Sequence, residues 1–207
     1  MTSSDSSSVT LLSSLYLAPI EYYYALNRCN KAIIEINDNY QKQSYRNRCI
    51  IAGANGPLPL SIPIEKPKST KSLMKDIRIA EHGNWRHLHW NAITSAYNST
   101  PFFQYYEDDF RPFYEKKITF LHDFNEQLRT LICRLTGIET EITYTETYIT
   151  EISESLVDLR ETIHPKRPSE FITRPYYQVF SDKLGFQNNL SILDLLFNMG
   201  NESTFYL

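Results

Sequence analysis

The apolar positions fall into short blocks whose spacing changes along the chain, and the changes mark the elements. LSSLYLAPI, residues 12–20, predicts a strand that Pro19 stops, because a proline restricts the residue before it. In EYYYALNRCN, residues 21–30, Tyr23, Ala25 and Leu26 form a helix face, and KAIIEI, residues 31–36, reads as a buried strand. Strand, helix and strand in succession predict a βαβ opening with a parallel pair and a right-handed crossover. Ligands of open sheets sit beyond the carboxyl ends of such strands, which draws residues 18–23 and 37–40 toward one crevice.

YQKQSYRNRCIIAGANGPLPLSIPIE, residues 40–65, predicts a hairpin: NRCIIA and LPLSIPIE pair around GANGP, where Gly and Asn supply the positive φ of the turn. Pro57, Pro59 and Pro63 cannot donate to a ladder, so the second strand is an edge. EKPKST is a loop and LMKDIRIA, residues 73–80, a further strand. Trp85, Leu88, His89, Ala92, Ile93 and Ala96 mark a helix that ends before Asn98-Ser99-Thr100-Pro101. Residues 110–135 carry Phe113, Phe120, Leu121, Phe124, Leu128, Leu131, Ile132 and Leu135 along one side, predicting one long core helix capped by Gly137. ETEITYTETY is a Thr-rich strand, and residues 158–180 mix charge, proline and aromatics as a loop over a site does. LSILDLLFNMG, residues 190–200, closes the chain as a short helix started by Ser191 and capped by Gly200.

The fold class that follows is α/β in a single domain: a mixed sheet with a parallel βαβ opening and an antiparallel hairpin, with helices packed on it. Residues 1–10 read as a disordered Ser-rich leader and residues 11–207 as the domain. Composition changes this picture only by exclusion. The 21 basic and 24 acidic residues are interspersed, giving a net charge of −3 and no basic stripe, which argues against nucleic acid. Three widely spaced cysteines, Cys29, Cys49 and Cys133, fit neither a disulfide framework nor a cysteine-based zinc site and point to the reducing cytoplasm. No stretch reads as an export signal or a membrane span.

The candidate chemistry gathers first at the hairpin. Asn47 and Arg48, with Lys42 and Arg46 nearby and Asn55 in the turn, suit a carboxylate or phosphate, since a guanidinium fork binds either bidentately. The same Arg48 could instead tie the hairpin to a neighbouring loop. Cys49 beside Arg48 could be an activated thiolate, yet strand alternation turns it to the opposite face, where a small buried side chain is the simpler reading. His87 and His89 lie about 200° apart on a helix, and with His82 they complete no metal-ligand spacing, so no metal site is assigned. His89, beside Trp90, has the pKa range of a general acid or base and is the candidate catalytic residue; the alternative is a satisfied core histidine. Arg160 paired with Asp158, together with Lys166 and Arg167 around His164, could form an anion-binding lid or a plain ion pair. Tyr177 and Gln178 place a phenol and an amide on opposite sides, either of which could contact a sugar hydroxyl. The candidate substrate-binding set is therefore Lys42, Asn47, Arg48, Asn55, Trp90, Arg160, Tyr177 and Gln178; the residues assign no cofactor.

YQKQSYRNRC with GANG and LSIPIE, GNWRHLHWNAITSAYNSTPFFQYYEDDF, DLRETIHPK, PYYQVF, and GFQNNLSILDLLFNMG occur in that order and together resemble the WbqC-like protein family, in its Bacteroidetes-type branch. The resemblance covers residues 15–207 and implies an association with surface-polysaccharide gene clusters. Many relatives read Pro-Trp-x-Gly-Tyr-Phe where this chain has Pro19, Ile20, Glu21, Tyr22, Tyr23 and Tyr24, an opening similar to the first βαβ of nucleotidylyltransferase-like folds. The His-x-Gly-His signature of those enzymes is absent here, so nucleotidyl transfer has no residue support. The expectation is a cytoplasmic transferase-type enzyme of O-antigen-like surface-polysaccharide biosynthesis, acting on a nucleotide- or lipid-linked amino sugar. The alternative is a non-catalytic accessory protein for a glycan-biosynthesis enzyme or carrier. Expected partners are a small-molecule or nucleotide-sugar substrate, with a homo-oligomer or an association with glycan-biosynthesis enzymes left open.

Overall fold

The computed structural model describes residues 9–67 and 69–207, so the expected disorder of residues 1–8 lies outside the described residues. Four parallel strands form one sheet in the order β5-β2-β1-β6: β1 (Val9–Ser13), β2 (Lys31–Glu35), β5 (Glu141–Tyr144) and β6 (Leu156–Asp158). Leu11 sits opposite Ile33 on one side of β1, and Val9 sits opposite Leu156 on the other. The expected α/β class with a parallel βαβ opening holds. The hairpin, β3 (Arg48–Gly53) with β4 (Gly56–Ser61), pairs antiparallel as a sheet of its own. Pro57 and Pro59 on β4 have no N–H to offer a further strand.

The first strand begins earlier than expected, at Val9, so Val9 and Thr10 belong to the sheet rather than to a leader. It also stops earlier. Ser13 and Ser14 use their hydroxyls on Arg160 and Glu126, and the buried stretch Leu15 to Pro19 leads directly into α1 (Ile20–Asn27). Two backbone bonds fix that entry: Ile20 donates to the Leu190 carbonyl and Ile192 to that of Ala18, each at 3.0 Å.

Residues 73–80 form no regular strand. The amides of Met74 and Lys75 donate to the carbonyls of Asp38 and Ile36, which leaves one 3₁₀ turn (Met74–Asp76) and isolated bridges from Arg78 and Ile79. The long helix expected over 110–135 is two helices, α3 (Phe103–Glu115) and α4 (Leu121–Thr136), after α2 (Trp85–Tyr97). Residues between α3 and α4 turn extended because the backbone of 77–79 pairs with them: Ile79 donates to Thr119 and Leu121 to Ile77, both at 2.9 Å. Pro112 in the last turn of α3 also lacks the N–H that would bond back to the Asp108 carbonyl, which weakens that turn.

A short helix, α5 (Ser181–Leu184), precedes α6 (Ile192–Met199), which runs through the middle of the molecule and buries every residue from Ile192 to Asn198. Ser191 caps it, accepting from the Leu193 amide. Phe197 receives Phe103, Phe110 and Tyr97 at ring-centroid distances of 5.2–5.4 Å. At its far end Gly200 has φ +56°, and a Cβ there would stand 2.5 Å from the Phe102 ring, so only glycine lets the chain pass.

Candidate functional site

Parallel strands end on the same side of a sheet, so the last residues of the four strands, Ser13, Glu35, Tyr144 and Asp158, all stand at one rim. The chain leaves β1 toward β2 and returns as β6 on the other flank of β1, which makes the rim beside β1 the place where strand order reverses. Open α/β sheets hold ligands at such reversals.

A buried ionic network fills the floor. Glu35, fully buried, accepts from Arg160 Nη1 (3.1 Å), Thr145 Oγ1 (2.6 Å) and the amides of Asn37 (2.9 Å) and Ile149 (3.1 Å). Arg160 also grips Asp158 with Nε (3.0 Å) and Nη2 (2.7 Å) and donates to the Ile149 carbonyl. Arg46 pairs with Asp38 through Nε and Nη2, both directed at Oδ2, and Nη2 reaches Ser13 Oγ at 3.2 Å. Asn125 of α4 donates to the Arg46 carbonyl (2.8 Å), locking that loop onto the helix. Burial pushes the Asp38 carboxyl above the usual range, against the pull of Arg46.

Over this floor lies a cavity of about 360 Å³ lined by Asn37, Asp38, Asn39, Gln41, Tyr148, Arg160 and Glu161. Tyr148 is half exposed, with the Arg160 guanidinium 4.7 Å from its ring centroid. Glu161 accepts from Gln41 Nε2 (2.5 Å) and Arg167 (3.4 Å) at the rim. Asp38 Oδ1 is buried and has no hydrogen-bond partner among the described residues. The segment after β2 serves two cavities: Asn39 and Gln41 line this one, while Tyr40 and Lys42 line a second of about 490 Å³ with Lys66 and Ser72. Burial pushes the Tyr40 phenol up to about 12. The lining contains no serine, cysteine or histidine; it offers acceptor oxygens, amides and one aromatic surface.

Of the residues singled out from sequence, Arg160 and Lys42 line these cavities, and the rest lie elsewhere. Asn47 Nδ2 donates to the Ile62 carbonyl (2.8 Å) and Arg48 Nε to Ser61 Oγ (3.1 Å). The Asn47 and Arg48 bonds extend the β3–β4 pairing and tie the end of β4 to β3. His89 is 5% exposed, with Nδ1 3.0 Å from the Tyr16 hydroxyl, which is in turn 2.9 Å from that of Tyr114. Burial pushes its pKa down to about 4, so the ring is neutral at physiological pH. Cys49 is buried and its thiol is pushed far up by the same cause. Trp90 packs against Phe103 and Tyr114, with Arg111 over its ring. Asn55 accepts from Lys183. Gln178 is buried, donating to Asp194 Oδ2 at 2.7 Å, whereas Tyr177 is exposed.

Sequence reasoning missed Glu35, Asp38, Tyr148 and Glu161. The position of residues 37–40 just past a parallel strand was the available signal for Asp38; Tyr148 and Glu161 carried none. Among the described residues no cluster of His, Cys, Asp and Glu could hold a metal ion, and no helix is long and apolar enough to cross a membrane.

Comparison with known proteins gives a full-length relative and a family. Uncharacterized protein Rv1507c of Mycobacterium tuberculosis (strain ATCC 25618 / H37Rv) is 24% identical over 226 residues, spanning 96% of each chain. No solved structure matches. The model of the WbqC-like protein family matches residues 14–167, a span that contains all seven residues lining the strand-end cavity, and on that match the chain belongs to the WbqC-like protein family.

Proposed function

We propose that this protein is a transferase-type enzyme of surface-polysaccharide biosynthesis that acts on a nucleotide- or lipid-linked amino sugar, with the strand-end cavity as its sugar site. The observation that carries this reading is a cavity of about 360 Å³ at the strand-order reversal, lined by acceptor oxygens, amides and the half-exposed Tyr148. That volume lies within the range of small-molecule sites, and an aromatic surface beside hydrogen-bonding groups suits a sugar ring. Lys42 and Lys66 in the adjoining cavity supply positive charge for the phosphate of the linked carrier. Arg46 and Arg160 hold the floor in place, since their hydrogen bonds already go to Asp38, Glu35 and Asp158. In this reading Asn47 and Arg48 brace the hairpin, His89 is a buried core histidine bonded to Tyr16, and substrate proton transfer belongs to Glu161 at the cavity rim.

The test is a thermal-shift series with nucleotide-diphosphate hexosamines. A ligand at a hundredfold its dissociation constant stabilises by about 2.7 kcal/mol, and Lys42→Ala is expected to weaken that shift while leaving the free protein's melting temperature unchanged. No shift with any member at millimolar concentration would sink the reading.

One observation favours a second reading, a non-catalytic binding protein: His89 and Cys49, the groups most suited to proton transfer or nucleophilic attack, are both buried among core side chains. Binding without turnover when donor and acceptor are both supplied would select it.

A further inference from the structure

The charges of the cavity floor do not balance. Among the buried floor groups three carboxylates, Glu35, Asp38 and Asp158, face two guanidiniums, Arg46 and Arg160; at the rim Glu161 is met by Arg167, and the Lys75 ammonium is engaged with Asn37 Oδ1 rather than with Asp38. Both Arg46 bonds to Asp38 go to Oδ2, which leaves Oδ1 as the unmet acceptor: it is buried, unpartnered among the described residues, and belongs to a residue that lines the cavity. A buried carboxylate oxygen without a donor is costly, and a ligand that brings both a donor and positive charge removes that cost. Water or a neutral hydroxyl supplies the donor alone. An ammonium group supplies three donors and the missing charge.

We propose that Asp38 reads a protonated amino group on the sugar, so that the crevice takes free hexosamines in preference to their N-acetylated or hydroxylated counterparts; this rests on the reading of the crevice as a sugar site. Tyr148 and the Asn39 and Gln41 amides contact the ring and its hydroxyls without regard to the substituent, while Asp38 sets the choice between amine and amide. An acetamido group at this place would present one N–H and a bulky, uncharged acyl group to a carboxylate oxygen, leaving the surplus charge buried. The class of reaction that must supply such a substrate is one that installs or unmasks a primary amine on a hexose.

Backbone amide signals of the full-length protein, followed by NMR while glucosamine, galactosamine, their N-acetyl forms, glucose and galactose are added, test this. The free amines are expected to move the signals of residues 37–41 and 148–149, with dissociation constants on the order of tenfold below those of the other sugars, as befits a charge-assisted bond. In Asp38→Asn that preference should collapse to about twofold or less. Because Asp38→Asn also deprives Arg46 of its partner, Tyr148→Leu serves as the second variant: it should weaken all sugars alike and keep the preference for amines. Equal response of the wild type to amines and N-acetyl sugars overturns the inference, as does a preference that survives in a folded Asp38→Asn protein. Failure of the underlying sugar-site reading looks different, since then no sugar, charged or neutral, moves those signals.

Discussion

Arg160 Nη1 lies 3.1 Å from Glu35 Oε2, joining the ends of two parallel strands that flank β1 on opposite sides across 125 residues of sequence. Both side chains are almost wholly buried, at 7% and 0% exposure. Removing one partner of such a pair strands the other's charge, which costs about 3–5 kcal/mol. Arg160→Met should lower the urea-unfolding free energy by about that amount, and the double variant Arg160→Met with Glu35→Gln should recover more than half of it. A loss below about 1 kcal/mol would mean that the pair is solvated and does not hold the strand ends.

Asp194, buried in α6, accepts from Tyr176 (2.5 Å) and Gln178 (2.7 Å), and burial raises its pKa from 3.8 to about 6 despite those bonds. A raised folded-state pKa means stability that is full below about pH 4 and lost as pH climbs through about 6. Asp194→Asn removes that loss. Melting curves between pH 4 and pH 6.5 should show the variant gaining on the wild type as pH rises, by up to about 3 kcal/mol at neutral pH.

His89 works in the opposite sense within the same window. Burial lowers its pKa from 6.5 to about 4, so its contribution is full above about pH 6.5 and lost as pH falls toward 4. The two groups offset each other in the wild type. His89→Gln should therefore expose the Asp194 slope, with stability relative to wild type rising as the pH is lowered from 6.5 to 4. An imidazole carbon signal that titrates near 6.5 in the wild type would contradict this.

Gly200→Ala forces a Cβ to within 2.5 Å of the Phe102 ring at a φ of +56°. The expected cost is about 2–4 kcal/mol, combining overpacking with left-handed strain, measured by denaturant unfolding. Adding Phe102→Leu should return the packing part and leave the backbone part. A variant as stable as the wild type would show that α6 can shift to make room.

Much of the scaffold was legible because its signals are local. α1, β2, α2 and α6 follow from apolar spacing within a dozen residues, and the Ser191 cap and Gly200 ending of α6 stood in the sequence. The split between α3 and α4 was not, since the residues between them look helical until 77–79 draws their backbone into bridges. β6 has only three residues, too few for any period to register. The hairpin's polar residues looked aimed at a ligand but instead fasten β4 to β3, as Asn47 does through Ile62 and Arg48 through Ser61. The crevice was half visible: position after a parallel strand pointed to residues 37–40, but nothing near Asp38 in sequence indicates that Arg46 would leave one of its oxygens unmet.

The reach from Glu35 to Arg160 also sets a schedule for synthesis on the ribosome. At about 5–20 residues per second, roughly 6 to 25 seconds separate the appearance of the carboxylate from that of its guanidinium. Throughout that interval the nascent sheet lacks β6, the strand beside β1 on the crevice side, and Glu35 must stay hydrated. Any ligand of the crevice can therefore act as a folding aid only after residue 161 has emerged, and a chain cut short before that point exposes an open sheet flank to its neighbours.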